Sequence, residues 1–412
     1  MPAPADCSNA PSGPVPAGAS APSPTGPIHI IGGGVAGLAT AYQLARRGVP
    51  ERVPVTLLEK EPGTGRHSSG LNAGILRTAI PEDATRALAE ESAAFFRSPP
   101  PGFCDRPLIN ACGLMLFEPG CDAVLAARNR TQLLDPQASA ALLPHYDTRG
   151  RAAWQVSDEG HLDIAALMAA YERSARSGGV TLRTRAAVAS LTTEEVRASA
   201  STASAGPPAA FPGHRSPGER PPPRRRITGL VLADGETLET ETVVLAAGGW
   251  AGYLGASAGS RLCLTPKRRH LLVTEPNARV DPAWPVAWSD GDGFYAKPES
   301  GGLLLSACDQ TPIHPDHCTT DPAVLEQIAA KAARHLPAFA DAGVASFWCA
   351  LRTFATDNHF RIGPDPDVAG LFWVAALGGH GMTCSPAVGR MAAEWILAGA
   401  PATASAPEPH LA

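Results

Sequence analysis

Apolar residues gather into short runs separated by glycine and proline, and the spacing of those runs predicts alternating strands and helices. Ile28 to Ile31 is a short apolar strand. A glycine cluster follows it, and Val35 to Arg47 then repeats apolar positions at helical spacing before a second strand at Val55 to Glu59. Further on, Asp163 is placed to cap the helix IAALMAAYERSARS. The Gly-Gly behind it ends that helix, and VTLRTRAAVASL reads as the next strand. The strand TVVLAAGGWA, and LFWVAALGGHGMT with the helix SPAVGRMAAEWIL behind it, return to the same style. Strands and helices alternating in this way predict a parallel sheet. The Pro-rich, less regular stretches between them predict a second, mostly antiparallel part. The predicted class is α/β: a Rossmann-like domain with a second α+β domain.

Three segments carry too few large apolar residues to join a core. Residues 1–27 contain eight prolines, and residues 197–226 and 399–412 are rich in Pro, Ala and Ser. They are expected to be a disordered tail, a disordered insert and a second tail. The insert ends in the basic run Arg224 to Arg226, read as a solvated loop end.

Composition narrows the function. At 412 residues the chain is long enough for two domains, and 44% hydrophobic with 18% charged residues describes a globular protein. A net charge of −5 offers no general attraction for nucleic acid, so a small-molecule ligand is expected. Nine cysteines occur without metal-ligand spacing, which predicts reduced core thiols, no zinc site and no secreted disulfide framework. The first residues lack the charged start and apolar run of a signal peptide, and no stretch is apolar enough to span a membrane. The expected compartment is the cytoplasm.

The glycine cluster holds the first chemistry. Gly32, Gly34 and Gly37 lie between a strand and a helix. Gly32 allows the tight turn, Gly34 lets the backbone approach a pyrophosphate, and Gly37 lets the helix close on the strand. Val35 and Ala36 open the helix, whose free N–H groups favour phosphate. Glu59 comes 22 residues after Gly37, where a carboxylate can accept bonds from both ribose hydroxyls and disfavours a 2′-phosphate. FAD and NAD share this pattern.

Longer motifs separate the two. PGTGRHSSGLNAGILRT, TVVLAAGGWA, PKRRHLLV, FYAKPESGGLLLS, ALRTFATDNHFRIG and GLFWVAALGGHGMTCSPAVG occur in this order. Together they resemble the flavoprotein family of D-amino acid oxidase, glycine oxidase and sarcosine oxidase, with wording closest to its D-arginine dehydrogenase branch. The resemblance implies FAD as cofactor and a discontinuous layout. The FAD-binding domain would take residues 28–95, 157–262 and 350–398, and the substrate domain residues 96–156 and 263–349. It further implies that Lys60 lies beside the ribose, that His67, Ser68, Ser69 and Gly70 follow the flavin, and that Val188 and Gly248 line the dinucleotide. Gly379, Gly381, Met382 and Thr383 would bring N–H groups to the flavin's N1 and O2, where negative charge builds on reduction.

The same resemblance implies oxidation of a bond between an α carbon and an amine nitrogen, with hydride transfer to flavin N5. Arg352 falls at the family's carboxylate-binding position, Tyr295 at that of a tyrosine assisting it, and Arg268 at that of another active-site arginine. The branch's acidic residue for a cationic side chain falls on Leu114, so the expected substrate is a D-amino acid with an apolar or neutral side chain. A branch histidine falls on Ile75, leaving His270 or His380 as proton acceptor. Cys349 lies one place from a cysteine that attaches flavin in relatives, and noncovalent FAD is expected. Secondary amines, 2-hydroxy acids, or flavin binding without turnover are the alternatives, and the electron acceptor is left open.

Overall fold

Strand Ile28–Ile31 is the hub of a six-stranded sheet. It pairs in parallel with Thr242–Leu245 on one side and Val55–Leu58 on the other. Leu371–Ala375 and Thr181–Arg183 continue the parallel order outward, and Arg361–Pro364 closes one edge antiparallel. The central strands are buried along almost their whole length, so they read as continuous Ile, Val and Leu instead of alternating. The computed structural model describes residues 24–196 and 224–398, and the rest of the predicted tails and insert lies outside these.

Helix Val35–Arg46 packs on one face of this sheet against helices Ile164–Ser177 and Ser385–Ala398. The Asp163 carboxylate caps the second of these by accepting the Ala166 N–H at 2.8 Å, and Gly178 stands at its C-terminal end. Rings of Tyr42, Phe103 and Tyr171 meet 4.9–5.4 Å apart beneath the three helices.

Two expectations needed correction. VTLRTRAAVASL is not one strand: Thr181–Arg183 belongs to the main sheet, while Val188–Glu195 pairs antiparallel with Arg225–Leu232 in a small second sheet. The break falls at Arg185, whose φ of 55° turns the chain in the left-handed region. Residues 225 and 226, assigned to the insert, begin that partner strand. Cross-strand pairing with Glu194 and Glu195 orders them, and Arg226 bonds the Glu194 carboxylate.

The second large unit is a nine-stranded sheet, antiparallel except for the parallel pair Leu114–Phe117 and Val286–Ser289. Its longest members, Leu264–Thr274 and Val344–Ala355, run side by side along nearly their full length. A parallel sheet backed by helices beside a larger antiparallel sheet is the predicted α/β class.

Helix Pro322–His335 crosses this sheet, started by the Asp321 cap and by proline at its first position. At its end His335 is fully buried, stacked 5.0 Å from Phe294 and 5.3 Å from Tyr146. Burial pulls its pKa down to about 4, with Asp292 acting in the opposite sense. The folded value lies below the unfolded one of 6.5, so the unfolded chain binds the proton more readily. This stabilisation is complete above the unfolded value and is lost as pH falls towards 4. Thermal melts should show the loss, on the order of 2–3 kcal/mol for this group. His335→Phe should flatten the decline, and an unchanged pH profile would refute the assignment.

Candidate functional site

The first strand ends at Ile31, and the chain reverses at Gly32 with φ 110°. A Cβ there would lie 2.5 Å from the Ala246 carbonyl oxygen, and one at Gly37 would lie 2.0 Å from that of Gly32. Only glycine lets the helix start come this close to two strands. At Gly34 an added Cβ would meet only the Ser69 hydroxyl, at 3.1 Å. Ser69 accepts the Val35 N–H at 2.9 Å. The Glu59 carboxylate is held from both ends, accepting the Gly33 N–H at 2.6 Å and the Glu61 N–H at 2.8 Å. Each of its oxygens keeps acceptor capacity beyond that bond.

A cavity of about 370 Å³ extends from this turn. Of the residues singled out in the sequence, Gly32, Gly34, Val35, Ala36, Glu59, Lys60, His67, Ser68, Ser69, Val188, Gly248, Gly379, Gly381 and Met382 border it, as does Arg352. Gly37 lies behind the turn, and Thr383 bonds the Ile75 carbonyl at 3.3 Å. Trp250, which also borders the cavity, escaped sequence reasoning because its segment was read as strand. The Lys60 ammonium sits 3.5 Å above its ring and the His67 ring meets it tilted, centroids 4.8 Å apart, with the His67 Nε2 2.9 Å from Glu61 Oε1.

Arg352 enters from the long strand Val344–Ala355, its Cδ 3.2 Å from where a Cβ on Gly379 would stand. Its guanidinium bonds only the Leu351 carbonyl, at 3.1 Å, and no carboxylate lies within ion-pair distance among the described residues. Burial lowers its pKa. Tyr295 is buried, its ring tilted against Trp288 with centroids 4.6 Å apart, amid the partly buried Ile75, Cys308 and Trp348. Burial raises the pKa of its phenol, while the field of Arg269 and Arg352 opposes that rise.

Three expectations change. Arg268 does not reach the cavity: its guanidinium is taken by Asp321 at 2.7 Å and the Thr319 carbonyl at 2.9 Å. Side chains alternate along a strand, and Arg269 is the one that shares a face with Arg352. Arg269 stands opposite Ala350 while Arg352 stands opposite Lys267, a diagonal separation of about 7–8 Å between Cα atoms. Period-two counting along KRRH would have found it. His270 is a structural residue, since its Nδ1 donates to Asp309 at 2.8 Å and its Nε2 accepts the Asp321 N–H at 3.0 Å. His380 remains, and burial, with Arg77, Arg269 and Arg352 around it, lowers its pKa to about 4. Leu114 is fully buried in a core cluster against which the partly buried Ile75 and Trp288 pack, and those two also pack against the cluster that holds Tyr295.

A glycine turn, a helix start and a ribose-range carboxylate along one cavity define a dinucleotide-binding oxidoreductase fold. Residues 28–395 match the DAO family, described as FAD dependent oxidoreductase, and the chain belongs to it. FAD is its cofactor, and the open backbone at Gly34 together with the Glu59 carboxylate fits that group. The chain is similar to FAD-dependent oxidoreductase domain-containing protein 1 of Bos taurus, 24% identical over 90% of this chain and 81% of that protein. It is also 24% identical to 4-methylaminobutanoate oxidase (formaldehyde-forming) of Paenarthrobacter nicotinovorans, over 91% of this chain but 44% of that protein. Glycine oxidase from Geobacillus kaustophilus has the same fold, with a TM-score of 0.71 at 22% identity over 93% of this chain and 99% of that one. The latter two relatives are named as oxidases, and this chain is an FAD-dependent oxidoreductase. No helix among the described residues is long and apolar enough to cross a membrane.

Gly37→Ala forces a Cβ into the Gly32 carbonyl, so the turn must open. The expected cost is about 1–3 kcal/mol of stability, together with a lower flavin-to-protein absorbance ratio. An unchanged melting temperature and ratio would show that the close approach is dispensable.

Proposed function

We propose that this enzyme oxidises the Cα–N bond of a D-amino acid with an apolar or neutral side chain, the α hydrogen leaving as hydride to flavin N5. The unpaired Arg352 carries this reading. A half-buried guanidinium without a carboxylate partner among the described residues, beside Gly379, is suited to bind the substrate carboxylate in two parallel hydrogen bonds. Arg269 adds positive field from the diagonal position, and Tyr295 offers a hydroxyl kept protonated by burial. Ile75, Trp288 and Trp348 around Tyr295 form the apolar wall that a side chain would meet.

Bound FAD supplies the hydride acceptor, and the protein fixes position and charge. Glu59 receives the adenosine ribose, and the start of helix Val35–Arg46 faces the pyrophosphate. No backbone hydrogen bond among the described residues uses the N–H of Gly379, Gly381 or Met382. Those three donors are therefore free for the flavin's N1 and O2. His380 is neutral at pH 7 and accepts a hydrogen bond from the substrate amine. The imino acid released then hydrolyses in water to a keto acid.

A second reading is oxidation of an N-methyl amine, favoured by the match to 4-methylaminobutanoate oxidase along nearly the whole chain. Anaerobic bleaching of the flavin by a panel of both amino acid enantiomers, N-methyl amino acids and 2-hydroxy acids separates the readings. Apolar D-amino acids should bleach it, and bleaching by N-methyl compounds alone would overturn the primary amine. A flavin that stays oxidised throughout would leave only cofactor binding.

Arg352→Leu leaves the substrate carboxylate unpaired at a cost of about 2–5 kcal/mol, so kcat/KM should fall between roughly 30-fold and roughly 4,000-fold. Wild-type kinetics in that variant would remove its role. Glu59→Lys should lower the FAD content of the purified protein, and an unchanged ratio would remove the ribose assignment.

A further inference from the structure

Most cysteines are not the core thiols their number suggested, for only Cys121 and Cys384 of the eight described are buried. Two others meet: the Cys318 and Cys349 sulfurs lie 3.5 Å apart and both residues are half-buried. Cys349 sits on strand Val344–Ala355 opposite His270, on the face of the strand that turns away from Arg352. Cys318 follows the short turn Pro315–His317, part of a loop that leans on the rim of the cofactor cavity. In that loop the His314 ring lies tilted against Tyr253 with centroids 4.8 Å apart, Asp316 accepts the Trp250 indole N–H at 2.6 Å, and Pro315 borders Gly249.

We propose that Cys318 and Cys349 form a redox-active dithiol whose disulfide ties this loop to the strand carrying Arg352 and so fastens the rim over bound FAD. The chain is fixed on both sides of Cys318. Arg268 holds Thr319 and Asp321 just beyond it, and Asp316 holds Trp250 just before it. Closing the gap from 3.5 Å to a bond of about 2.0 Å asks the two sulfurs to approach each other by about 1.5 Å. The hydrogen bond from Cys349 and the nearby Arg268 and Arg352 favour the thiolate of Cys318, lowering its pKa to about 7, and Cys349 is the resolving thiol with a raised pKa.

The oxidant is a hydroperoxide. The Cys318 thiolate attacks its terminal oxygen, the O–O bond breaks, and the oxygen that leaves takes a proton as water or alcohol. The Cys349 sulfur then displaces hydroxide from the Cys318 sulfenic acid. The S–S bond forms, and the Cys349 proton leaves with that hydroxide as water. The two thiols give up two electrons, and the hydroperoxide accepts them.

The test treats whole holoenzyme with hydrogen peroxide and maps its cysteines by mass spectrometry. The expected result is one intramolecular bond joining the peptides of Cys318 and Cys349, reversed by dithiothreitol. Cys349→Ser should stop at a sulfenic acid on Cys318, captured by dimedone. Cross-links among other cysteines, or two thiols that survive while others oxidise, would overturn the dithiol. Flavin release on dilution should be several-fold slower in the oxidised wild type than in the reduced one, with the Cys318→Ser variant showing the reduced rate before and after peroxide. Equal release from oxidised and reduced wild type would overturn the fastening of the rim even if the bond forms.

Discussion

The contact between the Gly32 carbonyl and Gly37 sets the rest of the site. It draws the first turn of helix Val35–Arg46 onto the ends of two parallel strands, leaving less room than a methyl group needs. The helix start, the Glu59 carboxylate and the Ala246 carbonyl then meet around one cavity end. Glu59 is oriented there before any ligand arrives, because two backbone N–H groups already hold its oxygens. A receptor fixed in this way orders few side chains on binding.

At the other end of the cavity the dominant fact is excess positive charge. Arg352 and Arg269 share a sheet face and neither has a carboxylate ion-pair partner among the described residues, while Arg77, which His380 also senses, is paired with Asp290 at 2.6 Å. Two like charges on one face repel each other, and an anion placed between them relieves that repulsion. The same paired strands present different chemistry on their two sides, with Arg269 and Arg352 on one and Cys349, His270 and Arg268 on the other. Strand alternation keeps Arg352 and the thiols on opposite faces.

Much of the parallel half was legible because its signals are local. A glycine turn, an Asp cap and continuous apolar strands each occupy a few neighbouring residues. Along VTLRTRAAVASL the local pattern misled, because the left-handed residue that splits it is an arginine and not a glycine. The cavity-bordering residues near Gly32, Glu59 and Gly379 were found through motif order. The choice between Arg268 and Arg269 depended on register, and the fate of His270 depended on partners 39 and 51 residues away in sequence. Leu114 lies wholly inside a core cluster, and burial depth leaves no mark in a single run of residues.

The order of strands also bears on synthesis. The six-stranded sheet uses residues from Ile28 to Ala375, and helix Ser385–Ala398 packs against the first helix. A nascent chain emerging from the ribosome thus exposes the apolar face of Val35–Arg46 until its last described helix is free. The glycine turn near Gly32 then waits for Gly379 and Met382, more than three hundred residues later, so the cavity that takes the cofactor is completed only once that stretch has been made.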